Sequence, residues 1–179
     1  MYFKLITEQD LDCIIKIQHE IFPKYSAKIN YIESILGITN NEYYIVYLNN
    51  IPIGITGIYT YPIDPESAWL GWFGIREPYR RKGYGSKVIQ HFEYIAKTRG
   101  FKYARLYTDK NNNFTAINFY KANGYTYEDY NNENDYLAKK YPTLIFSKSL
   151  GDYPLVHWNN RNINLTDQLK KELNERGKK

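Results

Sequence analysis

Apolar positions along this chain recur with two different periods, and the switches between them predict its elements. Tyr2 to Ile6 is a short apolar run that reads as a strand. Thr7 can cap the next segment, where Leu11, Ile14, Ile15, Gln18 and Phe22 recur at helical spacing until Pro23. Ala27 to Leu36 reads as a second helix, with Ile29, Ile32, Ile35 and Leu36 inward and Gly37 closing it. Tyr43 to Leu48 and Ile51 to Tyr61 are apolar strands joined at Asn49-Asn50, a hairpin signal, and Pro52 sits at a strand start where it is tolerated. Pro62 to Pro65 is a loop. Ala68 to Ile75 is the fourth strand, in which Gly71 and Gly74 predict a bulge or a close backbone approach.

A longer helix comes next, burying Val88, Ile89, Phe92, Ile95 and Ala96 and ending at Gly100. Tyr103 to Thr108 is a strand, Asn112 to Ala122 a helix stopped by Asn123-Gly124, and Tyr125 to Tyr130 and Thr143 to Leu150 are strands. This order implies an α+β protein, a mixed sheet flanked by helices. Residues 1–150 form the expected domain, and 151–179 an extension. Gly151 to Asn164 looks irregular, and Leu165 to Glu175 reads as a polar helix.

Composition narrows the function classes. A length of 179 residues fits one domain with a real core. No apolar run is long enough to cross a bilayer, and Met1 to Glu8 lacks the layout of a secretory signal, so the expected location is cytoplasmic, without a membrane partner. Cys13 is the single cysteine and reads as a packed thiol among Leu11, Ile14, Ile15 and Ile17, which leaves no internal disulfide and no cysteine-based metal site. The net charge of +5 suits an anionic ligand or mere solubility. Apart from Arg80 to Lys82 and the last ten residues, the cations are dispersed. No basic stripe is interleaved with aromatics, so nucleic acid is not an expected partner. With 20 tyrosines, no single one stands out as catalytic without a motif around it.

The chemistry concentrates after the fourth strand. Arg76-Glu77-Pro78-Tyr79-Arg80-Arg81-Lys82-Gly83-Tyr84-Gly85-Ser86 is a turn of proline, cations and glycines that opens a helix. The first N–H groups of a helix lack partners within it, and the dipole makes that end positive. Gly83 and Gly85 let a ligand approach the backbone. A phosphate or pyrophosphate site is one reading; a strand-to-helix turn with a solvated basic cluster is the other. The pattern is neither the ATP-binding P-loop nor the dinucleotide fingerprint, since the Lys-Ser/Thr pair and the third glycine are missing.

Arg80-x-x-Gly83-x-Gly85 resembles the acyl-CoA loop of the GNAT acyltransferase superfamily, which reads Gln/Arg-x-x-Gly-x-Gly/Ala after a strand and a proline. Asn113-Phe114-Thr115-Ala116-Ile117-Asn118-Phe119-Tyr120, continuing to Gly124-Tyr125, is similar to that family's Asn-x-x-Ala-x-x-Phe-Tyr segment. The resemblance implies a mostly antiparallel sheet and acetyl-CoA as cosubstrate, with no metal. It implies an N-acetyltransferase acting on a primary amine of a small molecule or protein; a non-catalytic acyl-CoA-binding or scaffold domain on the same fold is the alternative. A homodimer is left open.

By the same resemblance, Phe73, Gly74 and Ile75 pair with the pantetheine arm and one of their N–H groups polarises the acetyl carbonyl. Arg80, Arg81, Lys82, Gly83, Tyr84, Gly85 and Ser86 hold the pyrophosphate. Asn113, with Ala116 and Phe119 on the same helix, contacts the pantetheine, and Tyr120 protonates the departing thiolate. Read without the family, Phe119 and Tyr120 are core aromatics and Asn113 is a helix cap. The general base is open between Asp64, Glu66 and a water, with Glu133 and Asp135 as further candidates; Asp64 and Glu66 also read as turn carboxylates. Trp69 and Gly71 are expected on one face of the fourth strand and Leu70 and Trp72 on the other, so that one tryptophan faces the substrate. Trp69, Trp72 and Trp158 otherwise read as core or interface residues, His19 and His91 as surface or packing residues. His157 belongs to a packed tail or lines the site.

Overall fold

A computed structural model of the chain describes residues 1–62, 64–131, 140 and 142–158. The proposed base candidates Glu133 and Asp135, the expected helix Leu165 to Glu175 and the basic last ten residues lie outside these. The described elements are β1 (Tyr2–Leu5), α1 (Leu11–Ile21), α2 (Lys28–Ile35), β2 (Glu42–Leu48), β3 (Ile51–Tyr61), β4 (Asp64–Ile75), α3 (Tyr84–Thr98), β5 (Tyr103–Asp109), α4 (Phe114–Ala122), β6 (Thr126–Asp129) and β7 (Thr143–Ser149). Short 3-10 turns at Glu8–Asp10 and Glu77–Tyr79 precede α1 and α3. The fold is α+β, and its sheet has the strand order β1-β2-β3-β4-β5-β7-β6. β4 and β5 run parallel; the pairs β1–β2, β2–β3, β5–β7 and β6–β7 are antiparallel.

The chain divides into two compact units. The first contains Met1–Thr60 and Leu70–Phe92. Asn49 and Asn50 take φ of 49° and 64°, the left-handed pair that a two-residue hairpin turn requires. Further along, the ladder pairs Val46 with Gly54 and Tyr47 with Pro52, so Ile53 is an extra residue. The bulge turns Ile53 onto the side of Val46, where both pack with Ile75 and Val88 of α3. Ile45 and Ile55 instead join Ile14 and Ile17 of α1 and Tyr31 of α2 in a second cluster.

The inward face of α2 differs from the periodicity-based expectation. Ile29 and Leu36 are exposed, whereas Asn30 and Tyr31 are buried just after the buried Ala27. The Tyr31 ring meets Tyr43 edge-on at 5.0 Å. Burying that large ring fixes the rotation of the helix and leaves Ile29 and Leu36 on the outer side. Ile35 remains partly buried against the same cluster.

The second unit contains Tyr61–Trp69 and the described residues from Glu93 onward. β4 begins at Asp64, earlier than the alternation around Ala68 predicts, so Asp64 and Glu66 are strand residues and not turn carboxylates. Arg105, fully buried on β5, donates from Nε to Ser67 Oγ at 3.0 Å and from Nη1 to Ser147 Oγ at 2.6 Å. Its Nη2 donates to the Val156 carbonyl at 2.7 Å, and Asp64 Oδ2 lies 3.7 Å from Nε. A buried guanidinium needs this many partners, because each unmatched donor would cost desolvation free energy. The same contacts draw in the segment after β7: Tyr103 donates to the Pro154 carbonyl at 2.9 Å, and Trp158 is fully buried.

Candidate functional site

In the first unit, β4 ends in residues with unusual backbone demands. Trp72 has φ of 41°, so the simple face alternation expected for Trp69 to Trp72 stops there. Its half-buried ring packs edge-on to Phe22 and Tyr25, with centroids 5.5 and 6.1 Å away. Gly74 is needed for packing: a Cβ there would lie 2.5 Å from Ile21 Cγ2 at the end of α1. Phe73 packs against the cluster of Val46, Ile53, Ile75 and Val88. The Arg76 guanidinium ties this strand end to Glu20 of α1 at 2.7 Å and to the Pro52 carbonyl at 2.9 Å.

The next turn brings the predicted loop residues together. Arg80 folds its side chain back, donating from Nε to the Ile75 carbonyl at 2.7 Å. Lys82 donates to the Pro78 carbonyl at 2.9 Å. Arg81 and Gly83 both adopt left-handed backbone, with φ of 59° and 79°. No atom lies within 4 Å of where a Gly83 Cβ would stand, so Gly83 borders open space. Arg80, Arg81, Lys82 and Gly83 are exposed. Tyr84, Gly85 and Ser86 form the first turn of α3, whose N–H groups lack carbonyls one turn earlier in the helix. Three cations, a left-handed glycine and a helix start therefore share one exposed turn, a chemistry suited to an anion.

In the second unit, α4 carries the remaining predicted residues. Asn113 is at its N-cap position but makes no side-chain cap bond; Nδ2 donates instead to Thr108 Oγ1 at 2.6 Å. Ala116 and Phe119 are half-buried. Tyr120 is buried, its ring 5.3 Å from Phe146, 5.4 Å from Phe119 and 6.2 Å from Tyr125. Burial pushes its phenol well above the ordinary value of 10. A neutral hydroxyl is a proton donor, and this shift keeps it neutral far into the alkaline range.

Among the described residues, the two carboxylate candidates for the base, Asp64 and Glu66, are both engaged. Asp64 is fully buried beside Arg105, and Glu66 is ion-paired with Lys102, whose pKa that bond raises. The β4–β5 ladder runs from Ser67–Tyr103 to Trp69–Arg105, while β4 continues to Ile75. Trp69 is core, packed on Trp158, and the exposed His157 pairs with Glu128. Sequence reasoning missed the Arg105 network and the link from Lys148 to Glu93; neither lies in a motif, and both join residues far apart in the chain.

Residues 11–125 match the acetyltransferase (GNAT) family, a span that holds both motifs. Solved structures share the fold. The ribosomal-protein-S18-alanine N-acetyltransferase from Escherichia coli aligns with a TM-score of 0.66 and 14% identity over 88% of this chain and 98% of its own. An aminoglycoside 6'-N-acetyltransferase complexed with coenzyme A gives 0.65 and 14% over 87% and 100%. The PaiA N-acetyltransferase from Thermoplasma acidophilum, in complex with coenzyme A, gives 0.62 and 18% over 83% and 99%. No curated protein matches the sequence significantly.

Proposed function

Since the chain belongs to the acetyltransferase (GNAT) family, we propose that it moves an acetyl group from acetyl-CoA to a primary amine of a small molecule or protein. The observation that carries this reading is the exposed turn Arg80–Ser86, with left-handed Gly83 opening onto free space before α3. There the pyrophosphate accepts bonds from the first N–H groups of α3 and is neutralised by the flanking cations. Beyond Trp69, β4 offers its backbone at Phe73, Gly74 and Ile75 to the pantetheine arm, and one N–H there polarises the acetyl carbonyl.

The amine nitrogen attacks that carbonyl, a C–N bond forms and the C–S bond breaks. The amine loses a proton, and the leaving thiolate takes one from the Tyr120 hydroxyl. Asn113 bonds the pantetheine at the start of α4. The burial of Asp64 beside Arg105 favours Glu66 or a water as the group that first takes the amine proton.

The test is release of free thiol from acetyl-CoA in the presence of a polyamine, an aminoglycoside, free lysine or a peptide with a free N-terminus. Amine-dependent release that saturates in acetyl-CoA is expected. Saturable acetyl-CoA binding with no release on any amine would replace this reading with a non-catalytic acyl-CoA-binding domain.

A further inference from the structure

Lys148 on β7 lies outside both motifs, yet its ammonium gathers three parts of the second unit. Nζ is 2.9 and 2.8 Å from the two Glu93 carboxylate oxygens of α3. It also donates to the Asn123 carbonyl at 3.0 Å and lies 5.5 Å from the centre of the Tyr125 ring. Glu93 is largely buried, its side chain 16% exposed, so this ion pair is shielded and geometrically fixed. Asn123 is the C-cap of α4. Its N–H and that of Tyr125 both donate to the Tyr120 carbonyl at 3.1 Å. Gly124 takes φ of 83°, and the Lys148 stem passes 3.6 Å from where its Cβ would stand. The cation therefore caps the negative end of the helix that carries Tyr120 and bolts that end to α3 and β7.

We propose that Lys148 is a positioning residue for acyl transfer, acting through Tyr120 by fixing the end of α4; this rests on the role assigned to Tyr120 above. Proton donation needs the phenol held within a fraction of an ångström, and the carbonyl of Tyr120 is itself part of the capped turn. Lys148 touches no substrate in this scheme.

The test is a double-mutant cycle with Tyr120→Phe, run on acetyl-CoA and the fastest amine of the panel above, or on acetyl-CoA hydrolysis if no amine is used. Lys148→Met is expected to lower kcat about tenfold or more while KM for acetyl-CoA stays within about twofold. Lys148→Arg is expected to recover most of the loss. In a Tyr120→Phe background, Lys148→Met is expected to cause no further fall, because the group it positions is gone. If Lys148→Met does not fold, Glu93→Gln keeps the shape, removes the charge and should give the same pattern more weakly. A folded variant with normal kcat, or an equal loss in both backgrounds, overturns the proposal. Failure of the Tyr120 reading looks different: Tyr120→Phe alone would then turn over like the wild type.

Discussion

Trp158 lies edge-on to Trp69 with ring centroids 4.6 Å apart, and both side chains are fully buried. The segment after β7 thus completes the core of the second unit, together with the bonds from Arg105 to Val156 and from Tyr103 to Pro154. Trp158→Ala is expected to cost about 3–5 kcal/mol, the range for deleting a large core aromatic. Thermal or urea melts of the variant check this. A stability equal to wild type would mean that the segment is an appendage.

A second expectation concerns pH. His91 on α3 stacks on Phe3, with centroids 3.6 Å apart, and meets the Tyr44 ring edge-on at 6.4 Å. Burial lowers its pKa below the ordinary 6.5, because the charged ring is penalised more than the neutral one. In the unfolded chain the imidazole titrates near 6.5, so just below that pH the unfolded state holds more protons. His91 therefore adds full stability above 6.5 and loses it as the pH falls through the folded value. Melting temperature should drop between pH 7 and 5, and His91→Phe should flatten that slope. An unchanged slope in the variant would remove His91 as the cause.

Local rules made the β2–β3 hairpin and α3 legible in the sequence. Asn49-Asn50 tolerates left-handed backbone, and Val88, Ile89, Phe92 and Ala96 form an uninterrupted inward stripe. The rotation of α2 was not legible, because Ile29, Ile32 and Leu36 form as good a stripe as Ala27, Asn30 and Tyr31; only the fit of Tyr31 against Tyr43 decides. Gly151 to Asn164 shows no period, so residue type alone marked Trp158 as a packing residue, and its partner Trp69 could not be read. The exposed turn with its left-handed Gly83 could be read from glycine and charge, whereas the pairing of Asp64 with Arg105 exists only once β4 and β5 are side by side.

The loop assignment is open to direct attack at Gly83. A Cβ there meets no atom within 4 Å, but φ of 79° strains any residue other than glycine. Gly83→Ala therefore measures backbone strain alone, about 1 kcal/mol. Gly83→Asp adds bulk and negative charge where the pyrophosphate is proposed to sit. Its Kd for acetyl-CoA should rise tenfold or more relative to Gly83→Ala, about 1.4 kcal/mol, by calorimetric titration. Equal affinity in the two folded variants would sink the assignment.

The sharpest test separates Tyr120 as a proton donor from Tyr120 as packing, and the structure sharpens it, because the ring is packed against Phe146, Phe119 and Tyr125. Tyr120→Phe keeps the ring and removes only the hydroxyl. If Tyr120 is the acid, acetyl-CoA affinity and melting temperature should barely move, while kcat falls by roughly 10²–10⁴, the usual worth of a positioned acid. Because burial raises the phenol pKa, the wild-type hydroxyl stays protonated across the assay range, and the loss should be no worse at high pH than at neutral pH. If Tyr120 is only a core residue, kcat should stay near wild type, or fall only in step with the melting temperature. The measurement is kcat and melting temperature of Tyr120→Phe on the fastest amine of the panel. Turnover equal to wild type would pass thiolate protonation to a water or another side chain.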